Sequence, residues 1–298
     1  MLRQLHSLTG LIAALLVTVL AVTGAILAIS PIQERLQARV PADGQLSVAD
    51  LAARVVVEYP GAEQIQRTAS GLVIVYFSDA ERAGAELIDP QTGKALAPYE
   101  NPSFTRWMKK LHRSLLFDTS GRVVVGLGAA GMLLLSLTGV WLLAARQGGW
   151  RRILGPVRGT TGQRLHGVFG RFALLGLMLS ASTGVYLSAT TFALLPEPRE
   201  AEAPLVAEVA AAIPKPIQSL AALQSTDLND LRELVYPRRG DPSDSFYLRS
   251  RDGAGLVSPS TGAFLSYQTN DTRWRLHEFI YQLHTGDGLW WLGLLLGL

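Results

Sequence analysis

Three stretches of this chain are free of Asp, Glu, Lys and Arg: residues 4–33, 123–145 and 172–196. Within the first, residues 11–29 are almost wholly aliphatic, close to the ~20 residues a helix needs to cross a bilayer. The pattern predicts membrane-spanning helices at 5–32, 111–145 (opened by a histidine-bearing segment) and 165–195. A cleaved signal peptide is the rival reading of the first, but its apolar core would run only ~7–15 residues and no small-x-small cleavage site precedes Pro31. The segment 276–298 brings a histidine and then a fourth apolar run, 288–298. At ~1.5 Å per residue that run covers ~16 Å, about half of a hydrocarbon core. The expectation is a truncated fourth span that continues beyond Leu298.

Between the spans the chain is polar. Residues 33–110 and 196–275 each predict a small α+β module: a helical pattern at 47–58 and at 217–234, then two strands around a turn at 87–96 and at 256–265. The linker 146–164 carries Arg146, Arg151, Arg152, Arg158 and Arg164 with no acid. Arginine excess in a short loop marks the cytoplasmic side, which places the amino terminus inside and both modules outside. Arginine clusters also serve nucleic acids, but between two spans topology is the better account, and no nucleic-acid partner is expected.

Composition narrows the chemistry. Only 17% of the 298 residues are charged, with a formal net charge of +3, against ~25% charged in ordinary soluble domains. There is no cysteine, so iron–sulfur clusters, thiolate zinc sites, covalently attached haem and disulfides are excluded together. A metal must be held by histidine or carboxylate, and the histidines are His6, His112, His166, His277 and His284.

An internal duplication orders them. Leu5-His6 and Leu165-His166 open the first and third spans 160 positions apart, and each span reaches a Thr-Gly pair (Thr23-Gly24, Thr183-Gly184) seventeen residues after its histidine. The turn Asp89-Pro90-Gln91-Thr92-Gly93 matches Ser258-Pro259-Ser260-Thr261-Gly262. Leu111-His112 and Leu283-His284 then lead into the second and fourth spans. Both halves start inside, so the repeats are parallel, related by an axis near the membrane normal. His6 and His166 therefore belong to the inner leaflet, His112 and His284 to the outer. Two pairs of imidazoles, with no other soft ligand, meet the demand of two six-coordinate haems, each taking two axial nitrogens; zinc would want three or four protein ligands in one place.

The Leu-His starts, the Thr-Gly pairs within spans and the Asp-Pro-x-Thr-Gly turn resemble the PepSY-associated transmembrane proteins. The resemblance implies a four-helix transmembrane bundle, its fourth span truncated here, built from a tandem repeat with two small PepSY-like extracytoplasmic modules. It implies a bacterial inner-membrane oxidoreductase of the ferric-siderophore reductase type, with two b-type haems on His6, His166, His112 and His284. Electrons would come from a cytoplasmic flavin or NADPH carrier, on a partner or on a module after the last span, and pass to an extracytoplasmic ferric siderophore. Ser258 departs from the pattern where the first turn has Asp89.

Other readings stay open at this stage. His277 lies seven residues before His284, on the same helical face, and is an alternative ligand. Gly126-Leu127-Gly128-Ala129-Ala130-Gly131 matches a dinucleotide fingerprint, but inside an apolar span it reads as small residues for close helix packing. Arg171, Lys109, Lys110 and Arg113 would pair haem propionates or anchor helix ends, and Trp107 would pack on a haem face or sit among headgroups. Trp150, Trp290 and Trp291 read as interfacial anchors. Two functional alternatives accompany electron transfer: a membrane-anchored PepSY module that binds or regulates an extracytoplasmic partner, and a metal or siderophore permease with histidine relays.

Overall fold

The computed structural model describes residues 2–100, 102–204, 206, 213–241 and 243–287, so the expected fourth span at 288–298 lies outside the described residues. The chain divides into two compact units. One comprises Met1–Pro31, Pro102–Glu197 and Phe279–Leu298, the other Ile32–Asn101 and Pro198–Glu278.

The first unit is helical. Helix α1 runs Leu2–Leu27, and α2, Ile29–Gln37, follows after a one-residue break. Pro31 explains the break, because it has no N–H to offer the carbonyl four residues back. Two helices stand where the second span was expected: α4 (Ser103–Ser114) and α5 (Asp118–Gln147). Leu115, Leu116 and Asp118 between and beside them take positive φ. A Cβ on Gly121 would come within 1.7 Å of the Ser114 carbonyl oxygen, so this reversal requires glycine there. The third long helix, α6 (Thr161–Thr191), opens with a capping box between Thr160 and Gln163. Helix α5 packs against α1 and α6, and α4 against α1 and α5.

Ala13–Gln37, Asp118–Gln147 and Thr161–Thr191 are long and apolar enough to cross a membrane. Leu11, Leu15 and Phe172 are each more than three-quarters exposed, which suits lipid and not water. Two of the three glycines of 126–131 serve packing. Gly128 lies against Leu16 and Leu20 of α1, and Gly126 against Ser188 of α6.

The second unit is α+β. Helix α3 (Val48–Glu58) begins at Ser47, whose hydroxyl accepts the Asp50 amide. Its face of Val48, Leu51, Ala52 and Val55 is fully buried and joins a core with Ile65, Val75, Leu223, Leu231, Leu234 and Leu248. Each fully buried Leu or Val contributes roughly 1.5–3 kcal/mol. Strands β1 (Ala62–Arg67), β2 (Val73–Ser78), β3 (Ala83–Ile88) and β4 (Ala95–Pro98) form an antiparallel meander, and β5 (Leu231–Val235), β6 (Phe246–Ser250), β7 (Gly253–Val257) and β8 (Phe264–Thr269) form another. The two are not separate. Strand β1 pairs antiparallel with β5, giving one eight-stranded sheet in the order β4-β3-β2-β1-β5-β6-β7-β8. A buried seam reinforces the junction: Arg67 donates to the backbone and side-chain oxygens of Asn229 at 3.0 and 3.1 Å, and Asn229 donates to Pro41 and Asp43.

The helical pattern at 217–234 does not form one helix. It divides into a 3-10 turn, a four-residue helix α7 (Ala221–Gln224), a second 3-10 turn and β5. Asp227 caps Asn229 and starts the second turn. The irregular pairing between Leu231 and Glu233 then buries both Leu231 and Leu234 from a strand, so a helix-like spacing arises from a β-bulge.

The two matched turns keep one geometry. Asp89 accepts the Gln91 amide, and Ser258 accepts the Ser260 and Thr261 amides. Gly93 and Gly262 take φ of 76° and 78°. The serine preserves the turn, while Asp89 alone also meets Arg39, at 2.5 Å.

Candidate functional site

Four helices each deliver one histidine to the helical unit. His6 stands near the start of α1 and His166 near the start of α6. His112 stands near the end of α4, and His284 near the end of α8, Thr272–Thr285. The fold brings them together in twos. The His6 and His166 rings have centroids 6.3 Å apart, and those of His112 and His284 are 6.1 Å apart. His277 is in neither pair; it belongs to the sheet unit, its ring 5.7 Å from that of Trp274.

Three of the four imidazoles are seated on a Thr-Gly pair of a neighbouring span. The Nδ1 of His112 is 2.8 Å from the Thr23 hydroxyl, that of His284 is 2.9 Å from Thr183, and that of His6 is 2.8 Å from Thr138. The following glycine makes room for the ring. A Cβ on Gly24 would lie 3.2 Å from Cε1 of His112, one on Gly139 3.2 Å from Cε1 of His6, and one on Gly184 3.5 Å from Cε1 of His284. Thr23, Thr138 and Thr183 are all buried.

The sequence pointed to Thr23-Gly24 and Thr183-Gly184 as repeat markers without assigning them a contact. It passed over Thr138-Gly139 altogether. The signal was present, since this is another Thr-Gly pair inside a charge-free run, but no match between the halves drew attention to it.

The pairs suit a metal-centred group with two axial nitrogens. An ion bonded at ~2 Å to one nitrogen of each ring holds two imidazole centroids ~6 Å apart, which is the spacing found. The Nδ1 atoms of His6, His112 and His284 are already engaged, so Nε2 is the nitrogen each has left to give. In a b-type haem, the porphyrin supplies four further nitrogens and no thioether link, in keeping with a chain without cysteine.

Position along the helices separates the two pairs. His6 and Thr23 lie on α1, and His166 and Thr183 on α6, seventeen residues apart in each case, or ~25 Å at ~1.5 Å per residue. Since Thr23 holds His112 and Thr183 holds His284, the second pair is displaced from the first by most of a hydrocarbon core.

Arg171 has a plainer role than contact with a cofactor. It donates to the Ile153 and Gly155 carbonyls at 3.0 and 2.9 Å, pinning the segment between α5 and α6. Trp150 packs edge-on against Trp141, centroids 5.9 Å apart, and Trp107 is half exposed.

Comparison with known proteins adds the family. The family model described as PepSY-associated TM region matches residues 3–298. None of the curated proteins matches the chain.

Proposed function

The chain belongs to the PepSY-associated TM family, and we propose that it is a transmembrane electron conduit. Two bis-histidine b-type haems would lie in series, one on His6 and His166, the other on His112 and His284. The observation that carries this reading is the pair of histidine couples with centroids 6.3 and 6.1 Å apart, set toward opposite ends of the same two spans. Bound haem supplies a reversible one-electron couple. The protein's part is to present the nitrogens, hold the rings and exclude water with apolar helices.

The chain would be a multi-pass protein of the bacterial inner membrane, amino terminus inside, with a four-helix bundle built from two parallel repeats. The equivalent positions of His6 and His166, of Thr23 and Thr183, and of the turns at Asp89 and Ser258 support that duplication. Electrons would enter from a cytoplasmic flavin or pyridine-nucleotide carrier and leave to an extracytoplasmic ferric chelate, a ferric siderophore in the first instance. Hard oxygen donors hold ferric iron; reduction to the softer ferrous ion loosens that grip and frees the metal. This gives an outward electron path a use.

The test is spectroscopic, then vectorial. Purified full-length protein should give a reduced-minus-oxidised spectrum of low-spin haem at two haems per chain, all extractable with acidified organic solvent. In oriented vesicles with the reductant confined to the cytoplasmic side, a ferric chelate outside should reoxidise the haems and release ferrous iron to an external trap. A preparation without haem would overturn the conduit. Haems that reduce but are never reoxidised by any ferric chelate would overturn the ferric reductase and leave the conduit.

A further inference from the structure

We propose that Thr23, Thr138 and Thr183 are positioning residues that lock His112, His6 and His284 as Nδ1–H tautomers and so leave Nε2 bare for a metal. The inference deepens the electron-conduit reading and rests on it for the identity of the metal group.

It follows from counting protons. A threonine hydroxyl has one hydrogen to donate and two lone pairs to accept with. In each of the three cases that hydrogen is committed to the carbonyl one turn back: Thr23 to Val19, Thr138 to Leu134 and Thr183 to Leu179, all at 2.7 Å. A carbonyl has no proton, so the proton between two oxygens 2.7 Å apart is the hydroxyl's own. The Thr oxygen can then meet an imidazole nitrogen at 2.8 or 2.9 Å only as an acceptor, and Nδ1 must be the donor.

A neutral imidazole has one N–H, and placing it on Nδ1 leaves the Nε2 lone pair free. The bond also stops the ring from rotating, because Nδ1 is tied to one helix while the adjacent glycine receives Cε1. An acceptor on Nδ1–H makes the imidazole a stronger donor to its metal, which favours the ferric state. The Thr-Gly pair is thus a unit: hydroxyl for the tautomer, absent Cβ for the ring.

Two measurements test this, one of them independent of haem. In the full chain prepared from cells starved of haem and labelled with 15N at the histidine rings, His6, His112 and His284 should each give the Nδ1–H signature. Protonated Nε2 at these rings would overturn the proposal. In the haem-loaded protein, Thr23→Val and Thr183→Val should raise the midpoint potential of the outer haem or lower its occupancy, while Thr23→Ser and Thr183→Ser restore both. Unchanged potential and occupancy in the valine variants, or serine variants as impaired as the valine ones, would overturn it. If the wild-type chain takes up no haem yet shows Nδ1–H at these rings, the conduit fails and the tautomer assignment stands.

Discussion

Thr23 and His112 stand 2.8 Å apart, on α1 and α4, with α2, α3 and the strands β1 to β4 between them in sequence, and their contact ties a candidate span to the imidazole beside it. Thr183 and His284 repeat it at 2.9 Å. The same two contacts order the site's expected responses to substitution.

Loss of one histidine should affect one centre. His6→Ala and His166→Ala should remove or convert to high spin the same proposed haem, and His112→Ala and His284→Ala the other, because the His6 ring meets that of His166 and the His112 ring that of His284. His277→Ala should leave both reduced spectra nearly intact. Difference spectra and haem content of the five variants check this; loss of the outer haem on removing His277 but not His284 would reverse the assignment.

The glycines should be graded by the space beside them. Gly24→Val should displace His112, since even a first Cβ lies 3.2 Å from Cε1, and should deplete the outer haem. Gly139→Val should do the same to His6 and the inner haem. Gly131→Ala, with nothing within 4 Å of its Cβ, should be silent. Haem content per chain at equal helicity by circular dichroism separates these outcomes.

Asn229 is the hub of the seam between the two halves of the sheet. Asn229→Ala would take the side-chain acceptor from the buried guanidinium of Arg67 and leave it the backbone carbonyl of residue 229 alone. Burial and the nearby Arg232, Arg251 and Arg35 already pull that group down to about 10, so its charge is poorly compensated without the asparagine. The expected loss is about 1–3 kcal/mol, the scale for a buried polar group that loses a partner. Hydrogen exchange should rise first in β1 and β5.

Tyr236 should make the sheet unit fail in alkali. Burial pushes its phenol well above the usual value of 10.0, and its hydroxyl donates to the Ala52 carbonyl at 2.9 Å. Below pH ~10 both folded and unfolded states carry the neutral phenol, and the stabilisation is fully present. As pH rises above ~10, the unfolded state releases a proton that the folded state retains, so stability falls with pH. Denaturant midpoints of wild type and Tyr236→Phe should hold a constant difference below pH ~10 and converge as pH rises above it.

Much of the helical unit was legible because membrane insertion is a local, additive penalty. A run such as 172–196 without a charge identifies a span whatever it packs against. Read as repeats, the two halves also group His6 with His166 and His112 with His284, the couples whose rings meet. Contacts between unlike positions were beyond such reasoning. Thr138 meets His6 through the packing of α5 on α1, and the Thr-Gly pair that carries it says nothing in sequence of which histidine it receives. Arg171 reads in sequence either as a haem-propionate partner or as an anchor for its helix end, and only the path of the chain between α5 and α6 shows the carbonyls of Ile153 and Gly155 that it holds. In the sheet unit, local pattern found α3 and the turns at Asp89 and Ser258, where capping and glycine geometry act within a few residues. It misread 217–234, because a β-bulge buries Leu231 and Leu234 at a spacing that a helix would also produce. The joining of β1 to β5 was decided by tertiary structure alone: backbone N–H and C=O groups make that ladder, and every residue but proline carries the same ones.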